Sequence, residues 1–127
     1  MSTEEKKVVL VVEDSKLLRT VLHESLSEGG FTVYEADNGL LGLETARSIH
    51  PNLIMLDVMM PVMDGLEMYR KLRDEEWGKD IPVIMLTGAE EERVTSWISQ
   101  NGLDFFKKDG WMMDEVVAKA KSKLGIA

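Results

Sequence analysis

The stretch Leu53-Ile54-Met55-Leu56-Asp57-Val58-Met59-Met60-Pro61 sets four apolar residues before a single carboxylate, and a proline ends the run. A short apolar run between breakers reads as a strand buried on both faces, as the central strands of parallel sheets are. Such a strand presents its last side chain at the carboxyl edge of the sheet, where open α/β sheets bind ligands. Asp57 is therefore either a turn-former or the working group of a site.

On either side of this stretch, strands and helices alternate. Val8-Val9-Leu10-Val11-Val12 is a β-branched first strand ending on Glu13-Asp14. Ser15 caps a helix with Leu17, Leu18, Val21, Leu22 and Leu26 at helical spacing, and Gly29-Gly30 ends it. Phe31 to Ala36 is an edge or near-edge strand, followed by a helix with Leu40, Leu43, Ala46 and Ile49 facing inward. After the Met63-Asp64-Gly65 turn comes a helix with Leu66, Tyr69 and Leu72 inward. Ile81 to Leu86 is the fourth strand, leading into Thr87-Gly88. The fourth helix, from about Glu90 to Gln100, carries a Val94, Trp97 and Ile98 stripe. Leu103 to Lys108 is a fifth strand and Met113 to Leu124 a last helix. Strict alternation of five strands and five helices predicts an α/β fold with a doubly wound parallel sheet.

Composition narrows the function. At 127 residues the chain suits one domain, with a structured core over about 6–124. A net charge of −8 argues against direct contact with nucleic acid. No apolar run approaches a membrane span, and the polar start Met1-Ser2-Thr3-Glu4-Glu5-Lys6-Lys7 has no signal-peptide core, so the expected location is cytoplasmic. Cysteine is absent, which excludes disulfides and thiolate metal sites.

The fold brings the polar strand ends to one edge: Glu13 and Asp14, Asp57, Thr87 and Lys108. Two like charges 4 Å apart cost roughly 4 kcal/mol at an effective dielectric near 20, which a proton or a cation relieves. An all-oxygen set suits Mg²⁺, which keeps open positions for phosphate oxygens. Thr87 offers a hydroxyl and Lys108 an ammonium to such oxygens, leaving Asp57 as a nucleophile that forms an aspartyl phosphate. Separately, each group has a plainer role as a helix cap or surface charge; landing together on one edge is what favours a site.

Glu13-Asp14, the Leu56-to-Pro61 segment with Met63-Asp64-Gly65, Leu86-Thr87-Gly88 and Phe105 through Lys108 together resemble a response regulator receiver domain, over nearly the whole chain. The resemblance implies a flavodoxin-like sheet of strand order 2-1-3-4-5. It implies that Asp57 accepts a phosphoryl group from a sensor histidine kinase or phosphotransfer protein in a two-component phosphorelay. Asp14, Asp57 and the Met59 backbone carbonyl would hold Mg²⁺, with Glu13 acting through water, while Thr87 and Lys108 contact the phosphoryl group. Thr87 and Phe105 would be the switch pair, acting on the face of the fourth helix, fifth strand and fifth helix toward a downstream protein target or a fused output domain. Chemistry would be limited to Mg²⁺-dependent self-phosphorylation and self-dephosphorylation.

The family's Lys-Pro after the fifth strand is replaced here by Lys108-Asp109-Gly110. The resemblance implies that the switch aromatic and the site lysine point to opposite faces, and strand alternation gives that relation to Phe105 and Lys108, whereas Phe105 and Lys107 share a face. The missing proline predicts a trans Lys108–Asp109 peptide. Phe105, without a phenol to satisfy, is expected to be buried before phosphorylation. Trp97 and Trp111 lie near the switching face, where core packing is their plainer role. His23 and His50 show neither ligand spacing nor an acidic partner nearby in sequence. A stand-alone regulator or phosphorelay intermediate, of chemotaxis or sporulation type, is the first expectation, and the receiver of a longer transcription factor the second. The alternative function is a pseudo-receiver, an interaction module that phosphorylation does not regulate. An aspartate-nucleophile phosphatase would need a second Asp where Met59 stands, and a flavodoxin-type carrier would need a hydroxyl-rich loop where Glu13-Asp14 stands.

Overall fold

The computed structural model describes residues 6–88, 92–108 and 112–126. Elements follow in the order β1 (Val8–Val12), α1 (Lys16–Glu28), β2 (Thr32–Ala36), α2 (Gly39–Ile49), β3 (Leu53–Asp57), α3 (Gly65–Asp74), β4 (Val83–Thr87), α4 (Glu92–Gln100), β5 (Asp104–Lys107) and α5 (Met113–Lys123). The sheet is parallel throughout, in the order β2-β1-β3-β4-β5, with β2 at one edge as its alternation predicts.

Successive strand residues point to opposite faces, and the core divides accordingly. Leu10, Val12, Ile54, Leu56, Val83 and Met85 pack against α2, α3 and α4 through Leu43, Ala46, Met68, Leu72 and Ile98. Val9, Val11, Leu53, Met55, Ile84 and Leu86 pack against α1 and α5 through Leu22, Leu26, Val116 and Ala120. Every residue of β3 and β4 is buried, so these strands form the dry centre of the molecule. Each fully buried Leu, Ile or Met contributes on the order of 1.5–3 kcal/mol.

Three helices start on side-chain caps. Ser15, Asn38 and Asp64 accept hydrogen bonds from the Leu18, Leu41 and Glu67 N–H groups. Such a cap contributes typically about 1 kcal/mol and fixes where the chain leaves each strand-end loop. The inner faces differ from the expectation in three places. Leu17 and Leu40 are exposed, because each sits in the first turn of its helix at the rim of the sheet, ahead of the covered face. In α3 the buried residues are Gly65, Met68 and Leu72, with Leu66 and Tyr69 only half-buried against the core. Leu72 is buried as expected, and the residue the periodicity missed is Met68, which seats beside Gly42 of α2, where a Cβ would lie 2.9 Å from the Met68 sulfur. The fourth strand is shifted to end on Thr87 itself.

The loop after β3 is tightly held. The Gly65 N–H donates to the Val58 carbonyl at 2.9 Å, and a Cβ on Gly65 would stand 2.2 Å from the Asp57 carbonyl oxygen. The Gly39 N–H donates to the Met63 carbonyl at 3.0 Å, with only 2.3 Å available for a Cβ. Between these contacts the Met63 N–H donates to the Pro61 carbonyl at 2.8 Å, across Val62 at φ 70°. That is the positive-φ γ-turn, a strained conformation, here on a β-branched residue. Val62 is 76% exposed, so little packing opposes its replacement. Val62→Asn is expected to stabilise the fold by about 1 kcal/mol, since asparagine tolerates positive φ. A raised urea midpoint with an unchanged m-value is the expected result, and a lowered midpoint would show that valine contacts outweigh the strain.

Candidate functional site

Four strand ends meet at the carboxyl edge. β1 delivers Glu13 and Asp14, β3 delivers Asp57, β4 delivers Thr87, and the residue after β5 is Lys108. Glu13, Asp57 and Thr87 are buried, Asp57 with 1% of its surface exposed, while Asp14 is exposed to solvent. One carboxylate oxygen from each of Glu13, Asp14 and Asp57 lies within 4.8 Å of the other two.

Lys108 closes this acidic pocket. Its Nζ lies 2.9 Å from Asp57 Oδ1 and 2.9 Å from Glu13 Oε1, and donates to Glu13 Oε2 at 3.2 Å. The Lys108 N–H donates to the Thr87 carbonyl at 2.8 Å, which extends the β4–β5 ladder by one residue. Alternation from there sends Lys107 to the opposite face, where it lines a shallow cavity of about 370 Å³ with Phe105, Thr95 and Ser99. Lys108, not Lys107, therefore stands beside Asp57. The Lys108–Asp109 peptide and Trp111 lie outside the described residues.

The remaining contacts define the pocket walls. The Met59 N–H donates to Asp57 Oδ1 at 3.3 Å, so the Met59 backbone folds back over the carboxylate. Thr87 Oγ1 donates weakly to the Phe106 carbonyl at 3.5 Å. Phe105 was expected to be buried and is half-buried, its ring against the core on the α4 side, because β5 is an edge strand. Trp97 packs edge-on against Tyr69, with ring centroids 5.8 Å apart, and serves the α3–α4 contact.

Two contributions escape sequence reasoning. Arg19, one turn into α1, donates from Nη1 to the Glu13 carbonyl at 2.8 Å and from Nε to Glu35 Oε1 at 2.8 Å. His23 meets the other Glu35 oxygen at 2.5 Å. Only the α1–β2 packing brings Glu35 to them, and no spacing along the chain signals it.

The family comparison bears on this geometry. A model of the response regulator receiver domain matches residues 9–121. The chain belongs to the response regulator receiver domain family. The hybrid signal transduction histidine kinase D of Dictyostelium discoideum is 38% identical over 114 residues, covering 90% of this chain and 7% of that protein. The response regulator MprA of Mycobacterium ulcerans is 37% identical over 118 residues, covering 91% of this chain and 49% of that protein. The chain thus spans about half or less of the length of these relatives. The receiver domain of the sensor histidine kinase PA1611 of Pseudomonas aeruginosa, solved with a magnesium ion in its active-site cleft, superposes with a TM-score of 0.84 at 26% identity. That match covers 95% of this chain and 99% of the solved one. Among the described residues no helix is long and apolar enough to cross a membrane.

In this receiver the pocket is electrostatically incomplete. Burial pushes the Asp57 carboxyl up to about 7, with the Lys108 ammonium pulling against the rise and the Glu13 carboxylate adding to it. Burial alone would lower the Lys108 ammonium, but its contacts with Asp57 and Glu13 outweigh that and raise it. Asp57 Oδ2 is buried and accepts no hydrogen bond from the described residues. A buried carboxylate oxygen without a donor, in an all-oxygen cluster open to solvent at Asp14, fits a hard divalent cation.

The pH dependence follows. Unfolding returns Asp57 from about 7 to its ordinary 3.8, so the folded state binds more protons between these values. The contribution of Asp57 to stability is complete below pH 4 and is lost as pH rises through 7. Metal-free protein is expected to be roughly 2–4 kcal/mol less stable at pH 8 than the group would allow at pH 4. Asp57→Asn should remove that slope and stabilise metal-free protein at pH 8, measured by urea unfolding in EDTA. An Asp57→Asn profile parallel to that of the wild type would exclude Asp57 as the source.

Proposed function

We propose that this receiver domain is a phosphoacceptor in a two-component phosphorelay, switched by phosphorylation of Asp57. The observation that carries the reading is the state of the Asp57 carboxylate. It is buried, ion-paired through Oδ1 to Lys108, without a donor on Oδ2 among the described residues, and within 4.8 Å of a carboxylate oxygen of Glu13 and of Asp14. The domain occupies 1–127 as one unit and works in the cytoplasm. Its phosphodonor is the phosphohistidine of a sensor histidine kinase or phosphotransfer protein, and its output is a downstream protein or a fused domain. The kinase and regulator relatives support those partner classes.

Asp14, Asp57 and the backbone carbonyl of Met59 would hold Mg²⁺, with Glu13 acting through water. The magnesium in the PA1611 receiver supports that choice of ion. When bound, Mg²⁺ supplies positive charge for the carboxylates and the incoming phosphoryl oxygens. A carboxylate oxygen of Asp57 attacks phosphorus, the P–O bond forms as the donor P–N bond breaks, and the bonding pair leaves with the imidazole nitrogen. Lys108 is placed to exchange part of its contact with Asp57 for a phosphoryl oxygen, and it neutralises charge that develops there. The buried setting strengthens both interactions and limits competing water.

Thr87 couples the site to the output face. Its hydroxyl spends only a long bond on the Phe106 carbonyl, so turning toward a phosphoryl oxygen costs little. That movement clears space behind it, into which the half-buried Phe105 ring can turn. The face formed by α4, β5 and α5 thereby gains a second arrangement, and phosphorylation shifts the population toward it.

Acetyl phosphate with Mg²⁺ is expected to add one phosphoryl group, mapped to Asp57 by mass spectrometry. Asp57→Asn or EDTA should abolish it, and Lys108→Met should leave a phosphoprotein that lacks the change in tryptophan fluorescence expected of the phosphorylated wild type. No adduct on well-folded wild-type protein would sink the reading in favour of a phosphorylation-independent interaction module.

A further inference from the structure

We infer that Arg19 is a positioning residue for the cation site, fixing the Glu13 backbone so that the Asp14 carboxylate stands beside Asp57. The inference rests on the Mg²⁺ reading of the pocket given above. Glu13 is anchored on every side. Its N–H donates to the Ala36 carbonyl at 3.0 Å, its Oε2 accepts from the Ser15 N–H at 3.0 Å, and its carbonyl accepts from Arg19 Nη1 at 2.8 Å. The carbonyl contact belongs to the peptide that links Glu13 to Asp14, so the Arg19 bond sets the plane from which the exposed Asp14 side chain departs.

The guanidinium is itself fixed. Arg19 and His23 stand four residues apart on α1, hence on one face, and grip the two oxygens of Glu35 at 2.8 and 2.5 Å. The Arg19 side chain is only 15% exposed. Its planar fork makes two bonds in different directions, one to a carboxylate and one to a carbonyl, which a lysine ammonium on a flexible stem does not reproduce in one orientation. The chain of contacts runs from His23 through Glu35 and Arg19 to the Glu13 carbonyl, and it crosses from α1 to β2 and back to the end of β1.

A simple charge effect and a positioning effect have opposite signs here. Arg19 is a cation near a cation site, so Coulomb repulsion alone predicts that removing it tightens Mg²⁺ binding. Loss of positioning predicts weaker binding, about tenfold, as for other groups that orient metal ligands. Mg²⁺ titration by calorimetry on the wild type, Arg19→Met, Arg19→Lys and the remote control Arg47→Met separates the two. Arg47 pairs with Glu75 at 3.3 Å in the last turn of α2, and its variant carries the same charge change.

Weaker binding in both Arg19 variants, with Arg47→Met unchanged, is the expected result. Amide exchange at Asp14 and Ser15 in metal-free Arg19→Lys protein should also quicken. Unchanged or tighter Mg²⁺ binding in the Arg19 variants would overturn the inference while leaving the metal site standing. Wild-type protein that binds no Mg²⁺ would remove the metal reading and this inference with it. If Arg19→Met does not fold, Arg19→Lys decides alone, since it keeps the charge and loses the fork.

Discussion

A carboxylate held at the end of a dry central strand governs the rest of this molecule. Asp57 ends β3, whose residues are all buried, and β4 beside it is buried along its whole length. An ionised carboxylate in such surroundings is costly unless it is paired and fully hydrogen-bonded. The ammonium of Lys108 serves two buried carboxylates, Asp57 and Glu13, and among the described residues Asp57 Oδ2 has no donor. A proton or a cation would meet the deficit. It is also what makes the carboxylate responsive, because any ligand that completes the charge balance is favoured strongly.

The scaffold around the pocket is correspondingly stiff. Glycines at 39 and 65 allow backbone to approach backbone on both sides of the β3–α3 loop, and a γ-turn at Val62 closes it. On the opposite wall Glu13 is held by β2, by Ser15 and by Arg19. Backbone strain at Val62 fits the general pattern in which unfavourable conformations gather beside functional groups and are tolerated because the surroundings over-determine them.

The β5 side is held more lightly. Lys108 joins Asp57 to the Thr87 carbonyl through its own backbone, and Thr87 joins the pocket to β5 through a weak hydroxyl bond. β5 is four residues long, lies at an edge and is nowhere fully buried. A change of charge at Asp57 therefore meets rigid packing toward β1 and β3 but a lightly held strand toward β5. Asp104, on that strand, is tied to α5 by Lys123 at 2.6 Å and Lys119 at 3.2 Å, so β5 and α5 are positioned to respond together.

The linear sequence determined the architecture and most of the pocket, because both depend on local signals. Continuous apolar runs identify the buried strands, their alternation with helices requires parallel crossovers, and strand-end Glu13, Asp14, Asp57 and Thr87 then share an edge by topology alone. Strand period separated Lys108 from Lys107 once the family resemblance had set the site lysine on the face opposite Phe105. Tertiary structure decided what depends on packing across elements. Leu17 and Leu40 fit a helical stripe yet are exposed, since periodicity finds a face but not where the neighbouring layer stops covering it. Met68 is the fully buried residue of α3 beside Leu72, with Leu66 and Tyr69 half-buried against the same core, because Gly42 leaves room for its side chain and nothing in the α3 sequence reports that room. The Arg19–Glu35–His23 contacts and the incomplete hydrogen bonding of Asp57 arise between residues distant in the chain. Only the closed fold sets their distances and dielectric, and with them the chemistry of the carboxylate.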